Sequence, residues 1–101
     1  MTPTTEATIE LAFNAGLDAG EAVTRESNGS EAWQAIQFTT KGNRKLQNEL
    51  KKIDGITRDA YWGYITHAPF SNYYKEDAYL SAYAKVLNAN GIQAHKVERL
   101  L

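Results

Sequence analysis

The chain of 101 residues has no cysteine. Disulfides, thiol nucleophiles and cysteine-held zinc are therefore excluded. Small secreted domains usually rely on disulfide staples, so this absence points to a cytoplasmic setting. Proline is scarce: Pro3 and Pro69 are the two present, and no Pro/Ser linker or low-complexity tract breaks the chain. No apolar run approaches the roughly 20 residues of a membrane helix, so no membrane partner is expected. The opening MTPTTEATIE lacks the basic and apolar segments of a signal peptide. Histidine is limited to His67 and His95. No acid lies within five residues of His67, and Glu98 would leave a strand on the opposite face from His95. The glycines form no G-x-G-x-x-G and no phosphate-binding loop. Ser27, Ser30, Ser71 and Ser81 are not in a G-x-S-x-G frame. No catalytic residue, metal ligand or cofactor is expected from this inventory.

What is present suits one soluble domain. Hydrophobic residues make up 43% of the chain and charged residues 23%, near the globular average. The length matches a single folding unit over residues 1–101. The net charge of −1 hides an asymmetry. Residues 1–40 carry Glu6, Glu10, Asp18, Glu21, Glu26 and Glu31 against Arg25 alone. The segment 41–58 carries Lys41, Arg44, Lys45, Lys51, Lys52 and Arg58 against Glu49 and Asp54. Charge halves of this kind are ordinary solvated faces or a means of steering a charged partner.

Periodicity divides the chain into seven elements. In the first, Ile9, Phe13 and Leu17 recur every four residues, while Ala7, Ile9, Leu11 and Phe13 also alternate with polar residues. Length and alanine content favour a helix from Thr5 to Gly16 or Gly20 over a strand. Asn28-Gly29 signals a tight hairpin turn between Ala22–Thr24 and the run from Ala32 to Thr39. A helix capped by Ser30 competes for that second run. Asn43 is placed to cap a helix over 43–53, with Leu46, Leu50 and Ile53 on one stripe and Gly55 ending it. Ala60–Thr66 suits a strand by its aromatic and β-branched content. A short helix capped by Thr57 is its rival. A helix over Tyr74–Ala89 follows, with Leu80, Tyr83, Ala84 and Leu87 on one face, and Ile92–Val97 suits a final strand. The expected fold is α+β: a small sheet with helices on one side, in the order α-β-β-α-β-α-β, of ferredoxin-like style. A mainly α-helical chain is the alternative, since the segments 6–17, 31–39 and 58–66 fit either state.

The aromatic cluster is the most unusual feature. Tyr61, Trp62, Tyr64, Phe70, Tyr73 and Tyr74 fall within fourteen residues. Tyrosine and tryptophan are enriched at interfaces, and they also fill cores. Tyr73 and Tyr74 are adjacent at a helix start and cannot both face one core. A strand with Trp62 and Tyr64 on one face, beside Arg44, Lys45 and Lys52, would outline a sheet for RNA or single-stranded nucleic acid. The pI near 6.1 and the lack of an RNP motif count against it. The expected function is a non-enzymatic protein-binding domain: a regulator, adaptor or small inhibitor such as bacterial viruses encode. Its expected contacts are Trp62, Tyr64, Phe70, Tyr73, Tyr74, Arg44, Lys45 and Lys52. The alternative is a nucleic-acid-binding domain.

Overall fold

The computed structural model describes residues 4–26 and 33–99. The elements are α1 (Thr5–Glu21), β1 (Trp33–Phe38), α2 (Arg44–Leu50), β2 (Ile56–Asp59), β3 (Gly63–Thr66), α3 (Tyr73–Ala89) and β4 (Ala94–Arg99). The four strands form one sheet in the order β2-β3-β1-β4, with every neighbouring pair antiparallel. From β1 onward the chain follows a β-α-β-β-α-β path. This is the split connectivity of a ferredoxin-like sandwich, preceded by one extra helix.

The class expected from the sequence, helices on one side of a small sheet, is the class observed. The order differs in two places. Ala22–Thr24 does not form a strand, and the Asn28-Gly29 turn and the Ser30 cap lie outside the described residues. The expected strand Ala60–Thr66 is instead the loop and second strand of a hairpin over 56–66. The Asp59–Gly63 pair closes a loop of Ala60, Tyr61 and Trp62. Gly63 explains the difference, because its φ of 78° is a left-handed conformation that L side chains rarely adopt. A three-residue loop closed by such a glycine is a common hairpin form. The glycine inside the aromatic run is thus a turn signal.

Side-chain oxygens open each helix. Thr4 Oγ1 accepts from the Ala7 N–H at 3.1 Å, and Asn43 Oδ1 from the Leu46 N–H at 3.0 Å. Asn72 Oδ1 accepts from Tyr74 and Lys75. Each bond satisfies an N–H that has no partner within its helix. The α2 helix stops at Leu50, so Ile53 packs from the following turn, and Gly55 serves the entry to β2 rather than the helix end. The final strand begins at Ala94, two residues later than the pattern suggests.

One core lies between the sheet and the helices. Ile36, Phe38, Tyr64 and Ala94 from the strands meet Leu46, Leu50, Leu80, Tyr83 and Leu87 from α2 and α3. The α1 helix packs mainly along α3. Its buried stripe is Thr8, Ile9, Ala12, Gly16 and Gly20; of the expected Ile9-Phe13-Leu17 row, Ile9 is buried, Leu17 packs partly against the core, and Phe13 departs. Phe13 stays 41% exposed. The two glycines are the reason. A Cβ on Gly16 would come within 2.6 Å of the Tyr79 ring, and one on Gly20 within 2.4 Å of the Phe70 ring. The helix therefore turns its smallest side chains toward α3, where two aromatic rings fill the space. Lys75 Nζ, on α3, donates to the carbonyls of Gly20 and Val23 and so closes the C-terminal end of α1.

Candidate binding surface

The alternation of each strand gives the sheet a second face. Trp33, Ala35 and Gln37 of β1 point away from the helices, as do Ile65 of β3 and His95, Val97 and Arg99 of β4. Ala35, Ile65 and Val97 form a small buried cluster there, separate from the main core. Trp33 and Trp62 cover it. Their rings stack with centroids 5.8 Å apart and planes 26° apart. His67 meets Trp33 edge-on at 5.4 Å, and its Nδ1 lies 3.3 Å from the Gln34 carbonyl. Gln37 Nε2 donates to the Trp62 carbonyl at 2.6 Å and anchors the hairpin loop to β1.

The loop is rigidified from within. Asp59 Oδ1 accepts from the Trp62 N–H at 2.9 Å and the Tyr61 N–H at 2.7 Å. These two donors hold the Asp59 carboxyl below its ordinary value, since they favour the charged form. Tyr61 stands on this loop at 82% exposure, the most exposed large aromatic or aliphatic side chain among the described residues. Its ring touches Trp62 edge-on at 4.8 Å. A shallow hollow lined by Arg58, Asp59, Tyr61 and Trp62 lies beside it.

The aromatics that are adjacent in sequence are separated in space. Tyr64 points into the main core, on the opposite face from Trp62, so these two do not share a surface. Phe70 packs on Gly20 and edge-on to Tyr79 within the helical layer. The Tyr73 hydroxyl donates to the Glu98 carboxylate; this bond, with burial second, pushes the phenol up to about 12. The Arg25 guanidinium lies 4.0 Å over the Tyr74 ring. Tyr73 and Tyr74 are both half-buried and both engaged, which leaves Tyr61 as the exposed member of the cluster. Arg44, Lys45 and Lys52 are exposed, but they belong to the helical side. The expected juxtaposition of a basic helix with Trp62 and Tyr64 does not occur.

Two polar features complete the region around the start of α3. Gln34 is buried on the helical face. Its Nε2 donates to the Tyr73 carbonyl at 3.2 Å, while its Oε1 has no hydrogen-bond partner among the described residues. Burial pushes the Glu76 carboxyl above its ordinary value, partly offset by His67. Among the described residues no group of three or more histidine and carboxylate side chains is arranged to hold a metal ion. No helix among them is long and apolar enough to cross a membrane.

Sequence reasoning named Trp62 but missed Trp33, its stacking partner, because 29 positions separate them and only strand pairing unites them. No family model matches the chain, and neither curated proteins nor solved structures gave a match. Its class is defined by fold alone: an α+β sandwich in which, among the described residues, one face of the sheet carries no helix.

Proposed function

We propose that this chain is a non-enzymatic protein-binding domain of the cytoplasm, a small regulator, adaptor or inhibitor, and that it meets its partner with the β2–β3 loop and the adjoining helix-free face. The carrying observation is Tyr61, 82% exposed on a loop that Asp59 and Gln37 hold in place. Burying a large ring already fixed in position costs little ordering entropy, which is how aromatic anchors concentrate binding energy. Trp62 and Trp33 extend the contact area behind it.

The exposure of Tyr61 makes the test clean. Tyr61→Ala should leave the melting temperature within a degree or two, because the ring adds little to the core. The same change should abolish or strongly reduce partner capture by a photo-crosslinker placed at position 60. Full retention of biological activity by a Tyr61→Ala/Trp62→Ala double variant would refute the proposal.

A second reading is favoured by the charge of this face. Arg99 and His95 are exposed there, and its acid Asp59 is occupied by backbone N–H groups. Tryptophans beside an arginine on an open sheet face suit single-stranded nucleic acid. Such binding would fall steeply with salt and weaken on Arg99→Ala, but not on Lys45→Ala or Lys52→Ala. A protein partner should show a shallower salt dependence.

A further inference from the structure

We infer that the outer face of α1 is a second docking surface, and that its partner is a cationic amphipathic segment of another protein. Two of the three large hydrophobic side chains left exposed among the described residues, Leu11 at 53% and Phe13 at 41%, stand on this one helix. The helix carries Glu6, Glu10, Asp18 and Glu21, all exposed, and no basic residue. At about 100° per residue, the four carboxylates fall in the arc between Phe13 on one flank and Leu11 on the other. The face is thus an acidic strip with apolar margins. Phe13 reaches back edge-on to Tyr79, with centroids 6.1 Å apart, so its margin is fixed to the core. Gly16 against Tyr79 of α3 and Gly20 against Phe70 hold the opposite face of α1 tightly, which fixes the rotation of the helix and keeps the acidic strip outward.

The chemistry selects the occupant. Four carboxylates without an intervening base repel nucleic acid and anionic lipid and attract lysine and arginine. The apolar margins need apolar side chains opposite them. A second copy of the chain could offer the cations of α2, but exposed large hydrophobics among the described residues occur only on α1 and the β2–β3 loop. Leu11 and Phe13 stand about 160° apart around the helix, so one docked helix with a lysine or arginine stripe against the carboxylates and leucines along the edge that meets Leu11 matches the charge and the more exposed margin. This surface lies on the helical side of the sheet, and it stands whether or not the Tyr61 loop binds anything.

The test uses the full chain and a synthetic peptide of roughly 18 residues, about five helical turns, with lysine and leucine at amphipathic spacing. Controls are a scrambled peptide of the same composition and an oligolysine of equal charge. Amide shifts on titration should centre on Glu10, Leu11, Asn14 and Asp18. Leu11→Ser should weaken binding about ten-fold, equivalent to about 1.4 kcal/mol, with the melting temperature held as a control. Glu10→Lys/Asp18→Lys should weaken it further and flatten its salt dependence. The inference is overturned if oligolysine or the scrambled peptide binds equally well, or if Leu11→Ser binds as the parent does. It is also overturned if the shifts centre on the β2–β3 loop, or if the chain alone self-associates through Leu11.

Discussion

The two faces of the sheet are made from the same four strands, yet they hold their apolar residues in different ways. On the helical face Ile36, Phe38 and Tyr64 disappear beneath α2 and α3, with α1 packed against α3. On the other face Ala35, Ile65 and Val97 are also buried, but two half-buried tryptophans cover them and no helix contributes to the cluster. Burial by a helix layer uses residues whose outer sides are polar. Burial by tryptophan places large aromatic surface at the solvent boundary. The first arrangement closes a core, and the second closes a small cluster while leaving material for contact with another molecule.

The comparison fails if the two faces respond alike to truncation. The largest losses should come from Leu50→Ala and Leu87→Ala, both fully buried on the helical side. Each should cost roughly 2–5 kcal/mol in chemical denaturation, from lost burial plus the cavity left behind. Less than about 1 kcal/mol for both would mean that the core lies elsewhere. Gly16→Ala comes next. The added methyl must displace the Tyr79 ring, and overpacking of this kind costs roughly 1–3 kcal/mol, reduced by alanine's better helix propensity. A stabilised Gly16→Ala protein would contradict the close approach of α1 to α3.

Trp62→Ala should cost less than the leucine truncations, about 1–2 kcal/mol, because its ring is half-buried and its gain comes partly from stacking on Trp33. A loss of the size seen for Leu50 would make the outer cluster a second core. The Lys96–Asp77 ion pair joins β4 to α3 near the surface, with side chains 30% and 41% exposed. Asp77→Asn should therefore change stability by only about 0–1 kcal/mol, and less at high salt.

The pH response should separate the two faces with the smallest perturbation. The Tyr73 phenol is raised from 10.0 to about 12 by its bond to Glu98, and burial raises Tyr79 to about 12 as well. The folded state holds these protons more tightly than the unfolded chain. Their stabilising contribution is full below pH 10 and is lost as pH rises through 12. Tyr73→Phe should soften that alkaline decline. Asp59 runs the other way: its lowered value supports the loop above the ordinary 3.8, and that support is lost as pH falls through the lower folded value. Protection of the Tyr61 and Trp62 amides, taken relative to intrinsic exchange at the same pH, should fall on acidification before that of the helical core.

Local chemistry that repeats along the chain was legible in advance. The Asn43 cap, the Leu46/Leu50 stripe, and the long last helix with its Leu80/Tyr83/Leu87 face are observed as expected. These features depend on neighbours three or four residues away. The hairpin at Asp59–Gly63 was misread because its first strand, Ile56–Asp59, is short and sits at the sheet edge, so its residues alternate weakly. The phase of α1 was misread for a different reason. Counting hydrophobic residues selects Phe13 for burial, whereas Tyr79 of α3 and Phe70 of the segment before it present two rings that only glycine can accommodate.

The amino-acid sequence by itself determined the α+β class, the Asn43 cap and apolar stripe of α2, the long last helix and the division of charge between the two parts of the chain. Those properties are local, because a side-chain oxygen or an apolar repeat acts within one or two turns. Only the tertiary structure decided which aromatics stand together. Strand pairing brought Trp33 beside Trp62 and sent Tyr64 to the other face from its near neighbour. It also separated the basic α2 from the tryptophans and left Tyr61 in solvent with only an edge-on contact to Trp62. A strand alternates faces at each residue and a sheet joins residues distant in sequence, so proximity along the chain does not specify a shared surface.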